Sequence, residues 1–412
     1  MAETGTINRS DREFDVIVYG ATGFTGRLVA EHLLKTYGVG GNVSWAMAGR
    51  DADKLSAVAS EIGASEAPAI IANASDPSSL IEMASRASAI VTTVGPYTAY
   101  GAPLVQACVE AGTDYADLCG EPPFMRQMID TYHEQAKEKN VRIVHSCGFD
   151  SIPFDLGVYF VQSLHKEAYG RPASRVDGIV VSARGGISGG TIASGLMTRE
   201  LVAKDRSARK VMNDIYALAP DGTADRPRQP DPVSPRFSRT AKRWVAPFIM
   251  AEINMRNVHR SNLLMDYAYG QDFKYCEMMA APNAPAAYSI AAGSGAATAL
   301  LGFGPARSFL KNTVLPKPGE GPSAQDRERG SYKIELTATG EGGEISKALV
   351  TGDRDPGYGS TSKMLAESGL CLASEGADGG KRGGVITAAA ALGGALIDRL
   401  EQNAGLEFTT SQ

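Results

Sequence analysis

Cysteine is scarce in this sequence, since five of its 412 residues are cysteines. The number is odd, and no two of them have the paired spacing that disulfide frameworks and zinc sites use. They are Cys108, Cys119, Cys147, Cys276 and Cys371. The pattern excludes a disulfide-stabilised module and a zinc centre, so no metal site is expected. It predicts reduced thiols in a cytoplasmic protein.

Positive charge is not in excess either, because the formal net charge is -5. This balance argues against a general nucleic-acid-binding protein, and no nucleic-acid partner is expected. Residues 1–12 are polar and lack the apolar region of a secretory signal peptide. With 43% hydrophobic and 21% charged residues, the composition is that of a soluble globular chain long enough for two domains.

The most informative segment is a glycine-rich turn between a predicted strand, residues 14–19, and a predicted helix, residues 27–34. The turn consists of Gly20, Ala21, Thr22, Gly23, Phe24, Thr25 and Gly26. In this context the first glycine permits a tight turn, the second admits a pyrophosphate and the third lets the helix pack closely. The amides at the helix start would face the phosphates. The segment predicts dinucleotide binding, with an ordinary βα turn as the alternative.

The end of the second strand predicts which dinucleotide binds. That strand ends at Arg50, and Lys54 follows one helical turn later. An acidic residue here would bind the ribose hydroxyl of NAD, whereas arginine accommodates the 2′-phosphate of NADP. Because Asp51 is placed to cap the next helix, we expect Arg50 and Lys54 to select NADP(H). Asp76, after the third strand, either edges the adenine site or only caps a helix.

Strands and helices alternate through residues 1–155. The run at 89–94 is apolar almost throughout, as in a buried parallel strand, and helices are predicted at 102–111 and 123–139. Six such units predict an α/β fold with a Rossmann-type doubly wound parallel sheet.

The loop after the fourth strand leaves the carboxyl end of a central strand, where open α/β sheets bind ligands. It contains Gly95, Pro96, Tyr97 and Tyr100. We therefore expect Gly95 and Pro96 to border the cofactor and both tyrosines to lie near the nicotinamide.

Short motifs continue along nearly the whole chain. They are Gly20 to Gly26, Ala48-Gly49-Arg50, Gly95-Pro96-Tyr97, Tyr115-Ala116-Asp117-Leu118, Gly120-Glu121, Cys147-Gly148-Phe149-Asp150-Ser151-Ile152-Pro153, Ser188-Gly189-Gly190-Thr191, Asp355-Pro356-Gly357-Tyr358 and Gly384-Val385-Ile386-Thr387. This set resembles the saccharopine dehydrogenase-like oxidoreductases, and within them the mycobacterial trans-acting enoyl reductases. The resemblance implies NADPH-dependent reduction of an enoyl thioester in complex lipid biosynthesis. It also implies that an acyl carrier domain of a polyketide synthase presents that substrate.

The implied reaction needs a hydrogen-bond donor for the thioester carbonyl and a proton source for the α-carbon. Tyr97 and Tyr100 are the best candidate donors by position. Asp150 and Ser151 follow the strand at 141–146 and are further catalytic candidates. Each of the four could instead be a structural turn residue.

From residue 156 the pattern changes to that of an α+β domain. Residues 331–339 and 345–350 alternate with period two and predict a hairpin. With 176–183 and 253–264 they are expected to form a mixed or antiparallel sheet. This substrate and dimerisation domain would span residues 156–355.

Three other segments of that domain have two interpretations each. A glycine-rich turn at 185–191, before a helix predicted at 192–218, either binds a phosphate or only lets backbones approach. Residues 219–245 read as a long basic loop, either a docking surface for an acidic carrier or a solvated flap. Residues 278–306 carry no charge and predict a buried or dimer-interface helix in a homo-oligomer, with peripheral membrane contact as the alternative.

Residues 356–412 are expected to form helices that return to the first domain, with Leu406-Glu407-Phe408 closing the cleft. His145 and Cys147 could suggest a Cys–His nucleophile, but their apolar flanks favour core packing.

Two other functions remain open. A saccharopine-type reductase of an imino or amino acid would need cationic clamps, for which Arg184, Arg199 and Arg260 are candidates. A non-catalytic NADPH-binding protein is the third interpretation. The short-chain dehydrogenase mechanism is set aside because no tyrosine is followed four residues later by lysine.

Overall fold

Two sheets organise the chain in the computed structural model, which describes residues 12–186, 189–220, 226–302, 321–374 and 383–411. In this part of the chain each sheet has seven strands. The predictions for residues 1–11 and for positions 187 and 188 of the second glycine-rich turn lie outside the described residues.

The first sheet is parallel throughout and has the strand order β13-β6-β5-β4-β1-β2-β3. Its strands are β1 Phe14–Tyr19, β2 Trp45–Gly49, β3 Ala69–Ile71, β4 Ala87–Thr92, β5 Asp114–Asp117, β6 Arg142–Val144 and β13 Gly384–Ile386. The order reverses direction at β1 and β4, as in a Rossmann-type sheet. The predicted α/β fold with a doubly wound parallel sheet is confirmed.

Helices cover both faces of this sheet. They include α1 Phe24–Tyr37, α2 Ala52–Ile62, α3 Pro77–Ser85, α4 Tyr97–Ala111 and α5 Pro122–Glu138. Side chains alternate across β1, so that Val16 and Val18 pack with α1 and α2, whereas Ile17 and Tyr19 pack with α3, α4 and α5. This burial of both faces explains the apolar runs of the strands.

The second sheet is mixed and has the order β14-β12-β11-β7-β10-β9-β8. Its strands are β7 Arg175–Arg184, β8 Arg236–Ser238, β9 Arg243–Pro247, β10 Lys274–Ala281, β11 Ser331–Thr339, β12 Ile345–Gly352 and β14 Leu406–Thr410. The pair β7 and β10 is parallel, and the other pairings are antiparallel. The predicted hairpin is β11 and β12, and the predicted mixed sheet is confirmed.

The remaining helices connect the two sheets. They are α6 Ile152–Tyr169, α7 Gly189–Lys204, α8 Arg206–Asn213, α9 Ala251–Leu264, α10 Ala284–Gly302, α11 Ala324–Arg329, α12 Thr361–Ala373 and α13 Ala388–Arg399, with π-helical turns at Pro356–Ser360 and Leu400–Ala404. Helix α6 runs from the end of β6 onto the second sheet, where Leu336 and Val350 lie against Gly157. Helix α12 packs on β4 and β5. One hydrophobic core therefore extends from the first sheet to the inner face of the second.

Two predicted elements are wrong. Residues 253–264 are not a strand but belong to α9, where Asn254 and Asn257 both reach Ser151 because their spacing matches a helical turn. Leu406–Thr410 does not close the cleft of the first domain but pairs with β12 of the second sheet. Strand β13 does join the first sheet, so the C-terminal segment contributes to both sheets.

Three segments differ in part from the prediction. The helix expected at 192–218 is divided at Asp205, which caps α8 by accepting a hydrogen bond from the Ser207 amide. In the basic segment 219–245, residues 221–225 lie outside the described part, but the rest contains β8 and the start of β9. Residues 278–281 end β10 rather than begin a helix.

Helix α10 is not buried. Most side chains from Pro285 to Ala299 whose burial is described are exposed or half-exposed, and residues 303–306 of the predicted segment lie outside the described part. No helix among the described residues is long and apolar enough to cross a membrane.

Candidate functional site

The turn after β1 contains two glycines at which a β-carbon has no room. Gly20 has a φ of +90°, and a β-carbon there would lie 2.7 Å from Val94 Cγ2 and 2.9 Å from Thr93 Oγ1. A β-carbon on Gly26 would lie 2.7 Å from the carbonyl carbon of Gly20 and 2.9 Å from Thr93 Oγ1. Both glycines therefore let α1 begin directly against the carboxyl ends of β1 and β4.

The start of α1 presents backbone amides to the crevice. Its N-cap is Gly23, which offers no side-chain cap, and its first turn carries no acidic residue. The N–H groups of Phe24 and Thr25 therefore lie at the positive end of an uncapped helix. A cradle that excludes β-carbons and ends in such amides fits the pyrophosphate of a dinucleotide.

The end of β2 lies beside this turn. Arg50 is exposed there, and Asp51 caps α2 by accepting a hydrogen bond from the Lys54 amide at 3.1 Å. The predicted capping role of Asp51 is thus confirmed. Lys54 Nζ lies 3.6 Å from the Asp51 carboxylate, so its charge is partly matched within the helix. Arg50 and Lys54 thus both face solvent at this strand end.

The loop after β3 completes the nucleotide side of the crevice. Burial raises the pKa of Tyr19. A hydrogen bond with the Ala74 backbone and the positive charge of Arg50 both act to lower it, so these two groups lie near the Tyr19 hydroxyl. Asp76 caps α3 by accepting a hydrogen bond from the Ser78 amide at 3.1 Å. Its carboxylate therefore takes part in capping, and its place at the edge of the adenine site stays a prediction.

Segments from the second sheet lie over the first turn of α1. The Phe24 ring packs edge-on against Tyr358 with centroids 4.8 Å apart, and the Arg327 guanidinium lies 5.4 Å from its centre. Asp355 stabilises the turn that contains Tyr358 by accepting hydrogen bonds from the amides of Gly357 and Gly359. The crevice is therefore bounded on the second-sheet side by the turn at Pro356–Ser360 and by α11.

A buried carboxylate fixes the start of α4. Glu121 accepts hydrogen bonds from the amides of Tyr97 and Thr98 at 2.9 and 2.8 Å, and from Ser194 Oγ of α7 at 2.7 Å. The negative charge at the amino end of a helix is favourable. This contact starts α4 at Tyr97, whereas the sequence predicts a start at Ala102. The same carboxylate links α7 to the first sheet. The Gly120-Glu121 motif was a signal for it.

The two tyrosines of the predicted loop thus lie on α4 and differ in their surroundings. Tyr97 is buried, and its hydroxyl donates to the Thr92 carbonyl at 3.2 Å and accepts from the Leu118 amide at 3.1 Å. Burial raises the pKa of Tyr97 well above its usual value. Tyr97 is therefore a structural residue, and not the hydrogen-bond donor to a substrate that the sequence predicts. Tyr100 is 50% exposed. Gly95 and Pro96 connect β4 to this helix.

Asp150 and Ser151 lie at the carboxyl end of the first sheet, as the sequence predicts, but in different environments. Ser151 is buried, donating to Asn254 Oδ1 and accepting from Asn257 Nδ2, each at 2.9 Å. Asp150 is partly exposed and interacts with the buried Glu277. Ser151 therefore joins α6 to α9, whereas Asp150 stays partly accessible.

His145 and Cys147 do not form a nucleophilic pair. His145 Nδ1 lies 2.7 Å from Asp117 Oδ2, and its ring packs edge-on against Tyr115 and Phe124. Burial raises the pKa of the Cys147 thiol, which keeps it protonated. The predicted core packing of both residues is what the structure shows.

Comparison with known proteins places this geometry in a family. The model of the saccharopine dehydrogenase NADP binding domain matches residues 16–144. A Mycobacterium tuberculosis protein provisionally named trans-acting enoyl reductase is 45% identical over 97% of this chain and 98% of its own. The trans-acting enoyl reductase of Mycobacterium ulcerans is 41% identical over 96% of this chain and 97% of its own. The chain belongs to the trans-acting enoyl reductase family.

The resemblance stated from the motifs is thereby confirmed. A solved structure of apo saccharopine dehydrogenase (L-Glu forming) from Saccharomyces cerevisiae aligns with a TM-score of 0.49 at 12% identity, over 97% of this chain and 100% of that chain. Residues 16–144 of this chain match an NADP-binding domain, so the predicted cofactor NADP(H) is confirmed. The protein is an NADP-dependent oxidoreductase by family.

One buried group of this family member predicts a pH effect on stability. Glu277 is fully buried on β10, accepts hydrogen bonds from Asn254 Nδ2 and the Tyr275 hydroxyl, and has its pKa raised from 4.5 to about 8, chiefly by burial. Between these two pH values the folded protein keeps a proton that the unfolded chain releases. The free energy of unfolding therefore falls as the pH rises across that range.

We expect Glu277→Gln to remove this slope, because glutamine keeps an acceptor for Asn254 and carries no proton to lose. The difference in melting temperature between the variant and wild type is measured by calorimetry. It should become several degrees more favourable to the variant as the pH is raised from acidic values to about 8. Glu252→Gln, at an exposed position on α9, is the control and should keep the wild-type slope. An unchanged profile for Glu277→Gln would show that the carboxyl is ionised in the folded protein.

Proposed function

We propose that this protein is an NADPH-dependent trans-acting enoyl reductase that reduces an enoyl thioester bound to a carrier domain of a polyketide synthase. One observation carries the proposal: 45% identity to a relative so named extends over 97% of the chain and therefore over both sheets. The cofactor crevice of the first sheet fits NADPH, and the second sheet supplies the segments that bound it.

Each part of the crevice has a task in this proposal. The amides of Phe24 and Thr25 bind the pyrophosphate, and Arg50 binds the 2′-phosphate. Bound NADPH supplies a hydride to the substrate. The turn around Tyr358 and the side of α7 near Ser194 restrict the access of water to the carboxyl ends of β1 and β4.

Two of the four predicted catalytic residues keep a proposed chemical role. The thioester carbonyl gains negative charge during reduction and needs a donor, and the α-carbon needs a proton. Tyr100, half-exposed on the first turn of α4, and Asp150, partly exposed at the end of β6, are the proposed groups. Tyr97 and Ser151 hold the backbone and α9 in place.

The imino or amino acid alternative is less well supported by the described residues. Arg260, one of its three candidate clamps, is buried and donates to the main-chain carbonyls of Leu218 and Val385. Both of its Nη atoms are thus engaged by the main chain, which does not favour a role as a substrate clamp. Homo-oligomerisation and peripheral membrane contact through α10 stay predictions.

The test is NADPH oxidation with a panel of enoyl thioesters and imino acids, with product formation followed by mass spectrometry. We expect turnover of enoyl thioesters and none of imino acids. In the same assay Tyr100→Phe should lower kcat about 100-fold, the usual contribution of a general acid, without loss of NADPH binding. Turnover of imino acids alone would contradict the proposal, and tight NADPH binding without turnover would support the non-catalytic alternative.

A further inference from the structure

A groove opens beside the cofactor crevice, between α5 and the helices α7 and α8. Its volume is about 530 Å³, and Thr98 and Phe124 line it near the first turn of α4. Helix α8, which is far along the chain from that turn, also lines the groove through residues such as Ser207 and Lys210. It is separate from the turn at Gly20–Gly26, and the cofactor does not need it.

The groove meets the candidate site at Thr98. The Thr98 amide and hydroxyl both donate to Glu121, and Glu121 also accepts the hydrogen bond from Ser194 of α7. Leu201 of α7 and Asp205, the N-cap residue of α8, line the groove wall further along. One end of a ligand in this groove would thus lie at the first turn of α4, which also carries Tyr100.

The walls of the groove combine polar and apolar surface, and the apolar part is slightly the larger. Gln127 and Thr131 of α5 face Ser207 of α8 across it, and Arg126 is paired with Asp130 at 2.8 Å. Such walls suit a ligand that carries both amide groups, which exchange hydrogen bonds with side chains, and apolar groups, which pack on side chains such as Phe124 and Leu201. A phosphopantetheine arm has amides along its length, a phosphate at one end and the thioester at the other.

Helix α8 gives the groove a basic rim, since Arg206, Arg209 and Lys210 are exposed on it and Lys210 also lines the groove, whereas the whole chain has a formal net charge of -5. The acids of the lining are already engaged: Asp130 pairs with Arg126, Asp205 accepts from the Ser207 amide, and Asp214 accepts from the Tyr216 amide. Within the described part of the chain, no acidic side chain is ion-paired with Arg206 or Lys210, although Arg209 donates to the carbonyls of Val202 and Ala203. A concentration of positive charge on a negative protein selects a partner with an acidic surface or a phosphate.

We propose that this groove binds the phosphopantetheine arm of an acidic carrier domain, which docks on α8. This rests on the proposed function, because the arm delivers the enoyl thioester. The phosphate lies against the basic rim, the amides lie between α5 and α8, and the thioester reaches Thr98. The docking surface is therefore α8 rather than the basic segment 226–243.

The experiment compares two substrates with the full-length protein: the enoyl thioester on a carrier domain, and the same acyl group on N-acetylcysteamine, which lacks the phosphate and most of the arm. The double variant Arg206→Glu/Lys210→Glu should raise KM for the carrier-bound substrate about tenfold or more and leave kcat/KM for the short thioester unchanged. In wild type the KM for the carrier-bound substrate should rise with salt, because charge attraction is screened.

The matched control is Arg228→Glu/Lys242→Glu, which reverses two exposed charges in the other basic segment and should leave both substrates unaffected. A second variant, Thr131→Trp, fills the groove and should impair coenzyme A and carrier-bound thioesters but not the short thioester. If wild type reduces neither substrate, the proposed function fails. If it reduces both and the α8 and Thr131 variants behave as wild type, the groove assignment alone is overturned.

Discussion

Gly26→Ala is expected to weaken NADPH binding about 100-fold or more, because the two amide hydrogen bonds to the charged pyrophosphate contribute roughly 1.5–3 kcal/mol each. The new β-carbon would lie 2.7 Å from the Gly20 carbonyl carbon and 2.9 Å from Thr93 Oγ1. The first of these is backbone and cannot move aside, so α1 must shift away from β1. The amides of Phe24 and Thr25 then no longer meet at the pyrophosphate. Titration calorimetry with NADPH measures the loss.

Gly23→Ala is the matched control in the same turn. Its φ of -81° is accessible to alanine, and the nearest atom to its β-carbon is the Gly20 carbonyl oxygen at 3.3 Å. We expect this variant to keep the wild-type melting temperature, whereas Gly26→Ala should lower it. Wild-type NADPH affinity and stability in Gly26→Ala would show that α1 does not need this close approach.

The second large effect is expected at Arg50. Arg50→Ala should weaken NADPH binding about 10- to 100-fold, since a hydrogen bond to a charged group contributes roughly 1.5–3 kcal/mol. NADH binding should change little, because NADH has no 2′-phosphate to meet the guanidinium. The affinities of both cofactors are measured by fluorescence titration.

Lys54→Ala is the comparison for Arg50→Ala. Lys54 Nζ lies 3.6 Å from the Asp51 carboxylate and is more than two-thirds exposed, so its loss should cost NADPH binding much less. Lys54→Arg should leave the selectivity as it is. If Arg50→Ala weakened the binding of NADPH and NADH equally, the assignment of Arg50 to the 2′-phosphate would be wrong.

Elements with a local cause could be predicted from the sequence. The turn at Gly20–Gly26 was evident because its glycines stand between a strand pattern and a helix pattern. The hairpin of β11 and β12 followed from alternation with period two. Asp51 was identified as a cap because capping depends on residues three positions apart.

Elements that depend on distant partners were misplaced. Residues 253–264 are predicted as a strand, yet they form part of α9, where Asn254 and Asn257 bond to Ser151, which lies 103 residues before Asn254. The sequence predicts the start of α4 five residues too late, because Glu121, 24 residues from Tyr97, accepts hydrogen bonds from the first amides of this helix. No pattern within one segment reveals such a contact.

The sequence by itself determined the parallel sheet, the mixed sheet, the family and the cofactor, because glycine spacing, apolar periodicity and one arginine act over a few residues. The tertiary structure decided which of the predicted polar side chains are buried and which stay accessible. It buried Tyr97 and Ser151, left Tyr100 and Asp150 accessible, and opened the groove between α5 and α8. The reason is that exposure and hydrogen bonding are properties of packed neighbours, and folding brings those neighbours from positions far apart in the chain.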